Sequence, residues 1–304
     1  MADHRDFLDI SECTREEVLN FLEEAARLKA ELKAGRGCDE LKGKTLAMVF
    51  QKPSARTRVS FEVGMYQLGG YALYLAPSDI GLGKRESVAD IARVLARYND
   101  GIMARVFAHS DVLQLAEHAE VPVINGLSDL LHPCQVMADL LTIKEHKGKA
   151  EGVKVAFVGD GNNLCNSWLN AALRLDISLS LAIPEGYEPD GEIFERATGA
   201  NPDVFLTRAP AEAVEGADII YTDTWTSMGQ ETEAEQRRRD FKGYMVDREL
   251  VGKAKADVIV MHCLPAHRGE EITDEVIDGP HSVVFDQAEN RLHAQKAILV
   301  ELLK

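Results

Sequence analysis

Short apolar runs alternate with segments of helical periodicity along almost the whole of this chain, and they fall into two series. The first holds strand-like runs at Thr45–Phe50, Tyr71–Leu75, Gly101–Val106 and Pro122–Ile124. The second holds Val153–Val158, Ser178–Ile183, Asp203–Leu206, Asp218–Thr222, Val258–Met261 and Val283–Phe285. Helical spacing fills the gaps at Val59–Leu68, Ser87–Tyr98, Asp111–Ala119 and Val136–Lys147, and again from Ala288 to Leu303. Upstream, Thr14 and Glu17 form a capping-box pattern that opens a helix running to about Lys33. Strict β/α alternation requires parallel sheets with helices on both faces. The charged, glycine-punctuated HKGKAEG stretch marks a seam between the series near Ala138–Gly152. The expected fold is α/β: two doubly wound parallel-sheet domains joined by helices near Val136–Lys147 and Ala288–Leu303. The expected domains are residues 1–137, with the helix 288–304 packing back on them, and residues 138–287.

A chain of 304 residues is long enough for two such cores. Its net charge of -16 argues against nucleic acid and anionic membranes as partners, because both would repel it. No apolar stretch reaches spanning length, and the start MADHRDFLDI has no signal-peptide pattern. Five scattered cysteines without a CxxC pair point to reduced thiols in a cytoplasm. His262-Cys263 lacks a second ligand pair at metal-site spacing, so no metal is expected, and no cofactor.

Against this acidic background, Ser54-Ala55-Arg56-Thr57-Arg58 stands where a strand turns into a helix. The first helical N–H groups lack partners there, and the dipole favours an anion. Two guanidinium forks and two hydroxyls suit a phosphate dianion. An ordinary helix start capped by Ser54 needs one hydroxyl and no arginine, so a phosphate site is the stronger reading. Four further segments follow strand-like runs: Arg105 before VFAH, His132-Pro133-Cys134-Gln135, Asp223-Thr224-Trp225-Thr226-Ser227-Met228-Gly229, and His262-Cys263-Leu264-Pro265-Ala266. Each alone reads as a surface charge, a turn or core packing. Their order along the chain is what carries information.

Together these segments resemble the transcarbamoylase family over nearly the whole chain. SxRTR followed by HPxQ marks the family, while the SMG loop and HCLPA mark its ornithine branch. The resemblance implies transfer of a carbamoyl group from carbamoyl phosphate to the δ-amine of L-ornithine, giving citrulline and phosphate. Such a reaction needs no nucleophilic side chain; it needs proximity, clamps on the phosphate and donors aimed at the developing oxyanion. By resemblance, Ser54, Ala55, Arg56 and Thr57 hold the phosphate, and Arg105 bridges phosphate and carbonyl oxygen. His132 polarises the carbonyl, Gln135 receives the carbamoyl NH2, and Arg291 returns to the same pocket from the C-terminus. Asp223 pairs with the ornithine α-ammonium, with Asn163, Ser227 and Met228 positioning the amino-acid head. Cys263 lies near the δ-nitrogen, and a cis Leu264-Pro265 bond aims the Leu264 carbonyl at the carbamoyl group. Cys263 acts either as a base or as an orienting group. Orientation is the favoured reading, since burial among apolar residues raises a thiol's pKa. The resemblance further implies a homotrimer, or a multiple of trimers, with shared active sites and ordered binding in which carbamoyl phosphate comes first.

The chain departs from the family pattern at Ala55, where threonine is common, and at Gln51, where an acid is usual. In Asp79–Ser87 (DIGLGKRES), a loop the family extends into the neighbouring subunit's site, Gly81 replaces a glutamine and Arg85 a glycine. Phosphate contact from that loop is therefore expected to shift to Lys84 or Arg85, or to weaken. Rival readings are a carbamoyltransferase for putrescine or an acylated ornithine, a binding protein without chemistry, and a dinucleotide enzyme suggested by VKVAFVGDGNN. The last has Leu164 where a third glycine belongs, so a tight strand-to-helix turn is the plainer account. The charged stretch Gln230–Asp240 reads as a solvated helix.

Overall fold

The computed structural model describes residues 4–226 and 231–304. The chain divides into two compact units, Met1–Leu141 with Glu289–Lys304, and Thr142–Ala288. Among the described residues no helix is long and apolar enough to cross a membrane.

In the first unit, strands β1 (Thr45–Phe50), β2 (Tyr71–Leu75), β3 (Gly101–Arg105) and β4 (Val123–Leu127) form a parallel sheet in the order β2-β1-β3-β4. The inner strand β3 is buried along its whole length and β1 from Leu46 onward, which is why both read as unbroken apolar runs. Phe7 lies along the β4 edge: its N–H donates to the Val123 carbonyl and its carbonyl accepts from Asn125 N–H, each at 2.9 Å. The helix Arg15–Lys33 opens with the expected capping box, Glu17 N–H to Thr14 Oγ1 at 3.2 Å and Thr14 N–H to Glu17 Oε2 at 2.6 Å. Arg105 sits at a β-bulge: the β3–β4 register shifts between Ala104 and Arg105. A side chain at Gly126 there would fall 2.5 Å from Met103 Sδ and would have to displace that buried methionine.

The second unit contains β5 (Val153–Val158), β6 (Ile177–Ala182), β7 (Val204–Thr207), β8 (Ile219–Thr222) and β9 (Ile259–His262), parallel and ordered β7-β6-β5-β8-β9. Its core packs Tyr221 parallel to Phe157 and edge-on to Trp168, with both centroid separations 5.7 Å. The strand expected at Val283–Phe285 does not form. Val283 donates one bond to the Val260 carbonyl at 3.0 Å, and the last helix, Val284–Leu303, begins at the next residue. Three apolar residues have no period that separates a strand from the first turn of a helix.

In each sheet the strand order reverses once, between β1 and β3 and between β5 and β8. Crevices at such reversals, at the carboxyl ends of the strands, are where open α/β sheets bind ligands.

Candidate active site

At the first reversal, β1 runs into the helix Ala55–Gln67, which starts earlier than its apolar periodicity suggests. Ser54 caps it, accepting from Thr57 N–H at 3.3 Å. The fully buried Thr57 hydroxyl is the hub of this crevice. Ser54 Oγ lies 3.2 Å from it, Arg291 donates to it at 3.1 Å and Arg105 at 3.5 Å. Arg105 and Arg291 are themselves buried. Arg58 does not join them. It is exposed, donates to Glu62 at 3.1 Å and lies 3.9 Å from the centre of the Tyr74 ring. The two forks expected within SARTR are therefore corrected: among the groups that gather here, only Arg56 comes from that motif with a guanidinium, and the others arrive from β3 and the last helix. Arg58 follows Arg56 by two residues, about 200° around the helix axis, so the two side chains leave opposite sides of the helix.

His132 is buried beside the same cations. Burial, with Arg291, Arg105 and Arg56 adding to it in that order, drives its pKa well below the ordinary 6.5, so the ring is neutral. Gln135 fixes its own orientation by donating from the amide nitrogen to Asp139 Oδ1 at 2.9 Å. Its buried amide oxygen has no hydrogen-bond partner among the described residues, and it is an acceptor of the kind an NH2 group needs. Arg291, whose sequence neighbours allowed an exposed helical arginine, is 4 % exposed because the helix begins at Val284 and carries it two turns inward.

The second reversal gathers Asp223, Cys263 and an unforeseen residue, Asn162. Asp223 follows β8 and accepts three hydrogen bonds, from Asn162 Nδ2 at 2.8 Å, its neighbour Thr224 N–H at 2.8 Å and the Cys263 thiol at 2.9 Å. Asn162 Oδ1 meanwhile caps the helix Asn163–Arg174, accepting from Leu164 and Cys165 N–H at 3.0 and 3.2 Å. Asn163, half-buried, opens that helix. The N-cap preference for asparagine before a helical run was the available signal for Asn162. The same cap answers the dinucleotide reading, because donors a pyrophosphate would need are already engaged. Gly161 is required for another reason: a Cβ there would fall 2.4 Å from both Pro189 N and Tyr187 O.

Cys263 and Leu264 stand on the loop after β9. Leu264 has φ +58°, and the Leu264-Pro265 bond is cis. Leu264 N–H donates to His262 Nδ1 at 2.9 Å, which leaves His262 Nε2 as the protonated nitrogen, 3.0 Å from Glu271 Oε1. Both side chains of that pair are fully buried. Ligand atoms of Asp223, His262 and Cys263 lie within 4.8 Å of one another, but each imidazole nitrogen already has a partner, which argues against a metal site there. Ser227 and Met228 lie outside the described residues. The helix Ala234–Asp240 is not wholly solvated, since Arg237 is buried.

Two departures acquire a physical account. Gln51 donates to Asp111 Oδ2 at 2.9 Å and accepts from Phe107 N–H at 2.8 Å, a pairing that an acid could not make in full. Gly81 has φ +52° and ends the helix Pro77–Ile80, so glutamine there would be strained. Lys84 and Arg85 are exposed on the same loop.

The carbamoyl-P binding domain of aspartate/ornithine carbamoyltransferases matches residues 5–145, and the Asp/Orn binding domain of the same enzymes matches residues 151–302. The ornithine carbamoyltransferase of Thermococcus kodakarensis is 56% identical over 299 residues, 97% of this chain and 95% of that protein. The anabolic ornithine carbamoyltransferase of Pyrococcus furiosus is 56% identical over 299 residues, again 97% and 95% of the two chains. A solved structure of ornithine carbamoyltransferase from Pyrococcus furiosus superposes with a TM-score of 0.95 at 55% identity, covering 99% of this chain and 97% of that one. With both domain matches in sequence order and a shared fold across the whole length, the chain belongs to the aspartate/ornithine carbamoyltransferase family.

Proposed function

We infer that this chain transfers the carbamoyl group of carbamoyl phosphate to the δ-amine of L-ornithine, forming L-citrulline and phosphate in arginine biosynthesis. The observation that carries the reading is the convergence of Arg105 and Arg291 on the Thr57 hydroxyl at a helix N-terminus, a cationic corner in a chain of net charge -16. Ser54, Arg56, Thr57 and the Ala55 backbone take the phosphate oxygens, and Arg105 spans phosphate and carbonyl oxygen. Neutral His132 donates to the carbonyl, and Gln135 accepts from the carbamoyl NH2. Arg291 holds Thr57 and adds positive charge.

The first unit supplies the donor's cradle and the second the acceptor's residues. Asp223 pairs with the ornithine α-ammonium, while Asn163, Ser227 and Met228 orient its head. Attack requires a lone pair on the δ-nitrogen, which desolvation favours. Cys263, its thiol proton directed at Asp223, orients the acceptor with the Leu264 carbonyl. As the C–O bond breaks, the δ-nitrogen of the tetrahedral adduct gives its extra proton to the departing phosphate oxygen, so hydrogen phosphate leaves with its charge stabilised by the arginines.

We further propose a homotrimer with shared sites in the cytoplasm. Support comes from the uncovered β2 edge, where Tyr71 is 66% and Leu73 38% exposed, beside Tyr66 at 80% on the preceding helix. The β4 edge is by contrast covered by Phe7. Lys84 and Arg85 then supply charge to a neighbour's site, with weaker carbamoyl phosphate affinity than a glutamine at position 81 gives. All five cysteines are free thiols, in keeping with a reducing compartment. Citrulline formation measured with ornithine, putrescine and aspartate as acceptors tests the reading: ornithine alone is expected to be a good substrate. Equal or better turnover of putrescine would overturn it.

A further inference from the structure

Arg237 and Asp160 form an ion pair at 3.0 Å with side chains only 7% and 8% exposed. The same Arg237 nitrogen donates to the Trp225 carbonyl at 2.9 Å, its Nε donates to Glu233 at 3.1 Å, and its guanidinium lies 4.9 Å from the centre of the Tyr187 ring. Burial pushes the Asp160 carboxyl up to about 6 against the pull of Arg237, with Asp223 and Glu233 adding to the rise. A buried ion pair is a poor source of stability, since desolvation offsets most of its attraction. Its geometric consequence here is specific. Asp160 stands on the turn after β5, two residues before Asn162, and Trp225 stands two residues after Asp223. One guanidinium thus ties together the two strand-end turns whose innermost contact is the Asn162–Asp223 hydrogen bond at 2.8 Å.

We propose that Arg237 is a positioning residue for the amino-acid acceptor: by bridging Asp160 and the Trp225 carbonyl it sets the spacing of Asn162 and Asp223. The inference rests on Asp223 being the partner of the ornithine ammonium. Lysine cannot replace Arg237, because one ammonium cannot bridge Asp160 and the Trp225 carbonyl while a second nitrogen holds Glu233, and it has no planar face to lay on the Tyr187 ring.

Steady-state kinetics of Arg237→Gln, Arg237→Lys and Asp160→Asn in the full chain test it. Arg237→Gln is expected to raise the ornithine KM about tenfold or more, with the carbamoyl phosphate KM held within about twofold. Arg237→Lys is expected to rescue little of this. Asp160→Asn, which keeps an acceptor, is expected to give a smaller rise in the same KM alone. Combining it with Arg237→Gln should add nothing further, since the pair acts as a unit. An unchanged ornithine KM, or equal rises in both KM values, overturns the inference; if Arg237→Gln does not fold, Asp160→Asn decides by the same criterion. Absence of citrulline from the unmodified enzyme would instead mean that the functional reading has failed.

Discussion

Arg291 donates to the Thr57 hydroxyl at 3.1 Å across 234 residues of sequence, so the last helix of the chain completes a pocket begun by the second. Arg105 approaches the same oxygen at 3.5 Å. Gathering like charges in a buried place costs free energy in the empty protein, and a doubly charged anion offsets that cost on binding.

Removing either cation should therefore damage catalysis and anion binding more than folding. Arg105→Ala is expected to lower kcat/KM for carbamoyl phosphate by about a hundredfold or more, and Arg291→Ala somewhat less. Thermal melts provide a second check: carbamoyl phosphate should raise the Tm of the unmodified protein and leave that of Arg105→Ala almost unmoved.

His132 is expected to stay neutral throughout the working range, since burial and three guanidinium groups depress its pKa. The reaction's pH profile should then contain no limb near 6.5 that vanishes on His132→Gln. Stability carries the complementary signature. Because the folded pKa is lowered, the unfolded chain binds the extra proton, so stability is full above about 6.5 and falls as pH drops below it. Replacing His132 with glutamine should flatten that part of the stability curve, measured by denaturant melts between pH 5 and 8 at intervals of about half a unit.

Cys263 donates its thiol proton to Asp223 at 2.9 Å, which supports the orienting role proposed for it. Serine keeps a donor at that place, so Cys263→Ser should retain activity within about tenfold, whereas Cys263→Ala should lose more. Asp223→Asn should raise the ornithine KM by at least about a hundredfold, because a charge-assisted contact is removed. A serine variant as inactive as the alanine one would instead assign Cys263 the role of base.

At Gln51, a change to the corresponding acid should be unfavourable in this chain. Gln51→Glu sets a carboxylate against Asp111, within hydrogen-bonding distance, and removes a donor. A loss of about 1–2 kcal/mol is expected by urea denaturation, with carbamoyl phosphate KM altered little.

The sequence made most of this legible where one local rule decides. Inner strands such as Thr45–Phe50 and Val153–Val158 are buried on both faces, so their apolar runs coincide with the observed limits. The capping box at Thr14 and the cap at Ser54 are set by contacts three residues apart. What was not legible depends on distance. Arg58 and Arg56 look equivalent in a motif, and only Tyr74 and Glu62 show that one of them faces away. Asn162 gained its role from Asp223, sixty-one residues on, and Arg237 was concealed among charged neighbours because its partner Asp160 lies on another turn. Val283–Phe285 failed as a strand since three residues carry no period.

A crystal structure with a phosphonoacetylated ornithine, which joins the phosphate mimic to the acceptor, tests the central claim most directly. The phosphonate oxygens are expected on Ser54, Arg56, Thr57 and Arg105, the acyl oxygen within reach of His132, and the α-ammonium on Asp223. Phosphonate bound elsewhere, with the corner around Thr57 left unliganded, would contradict it.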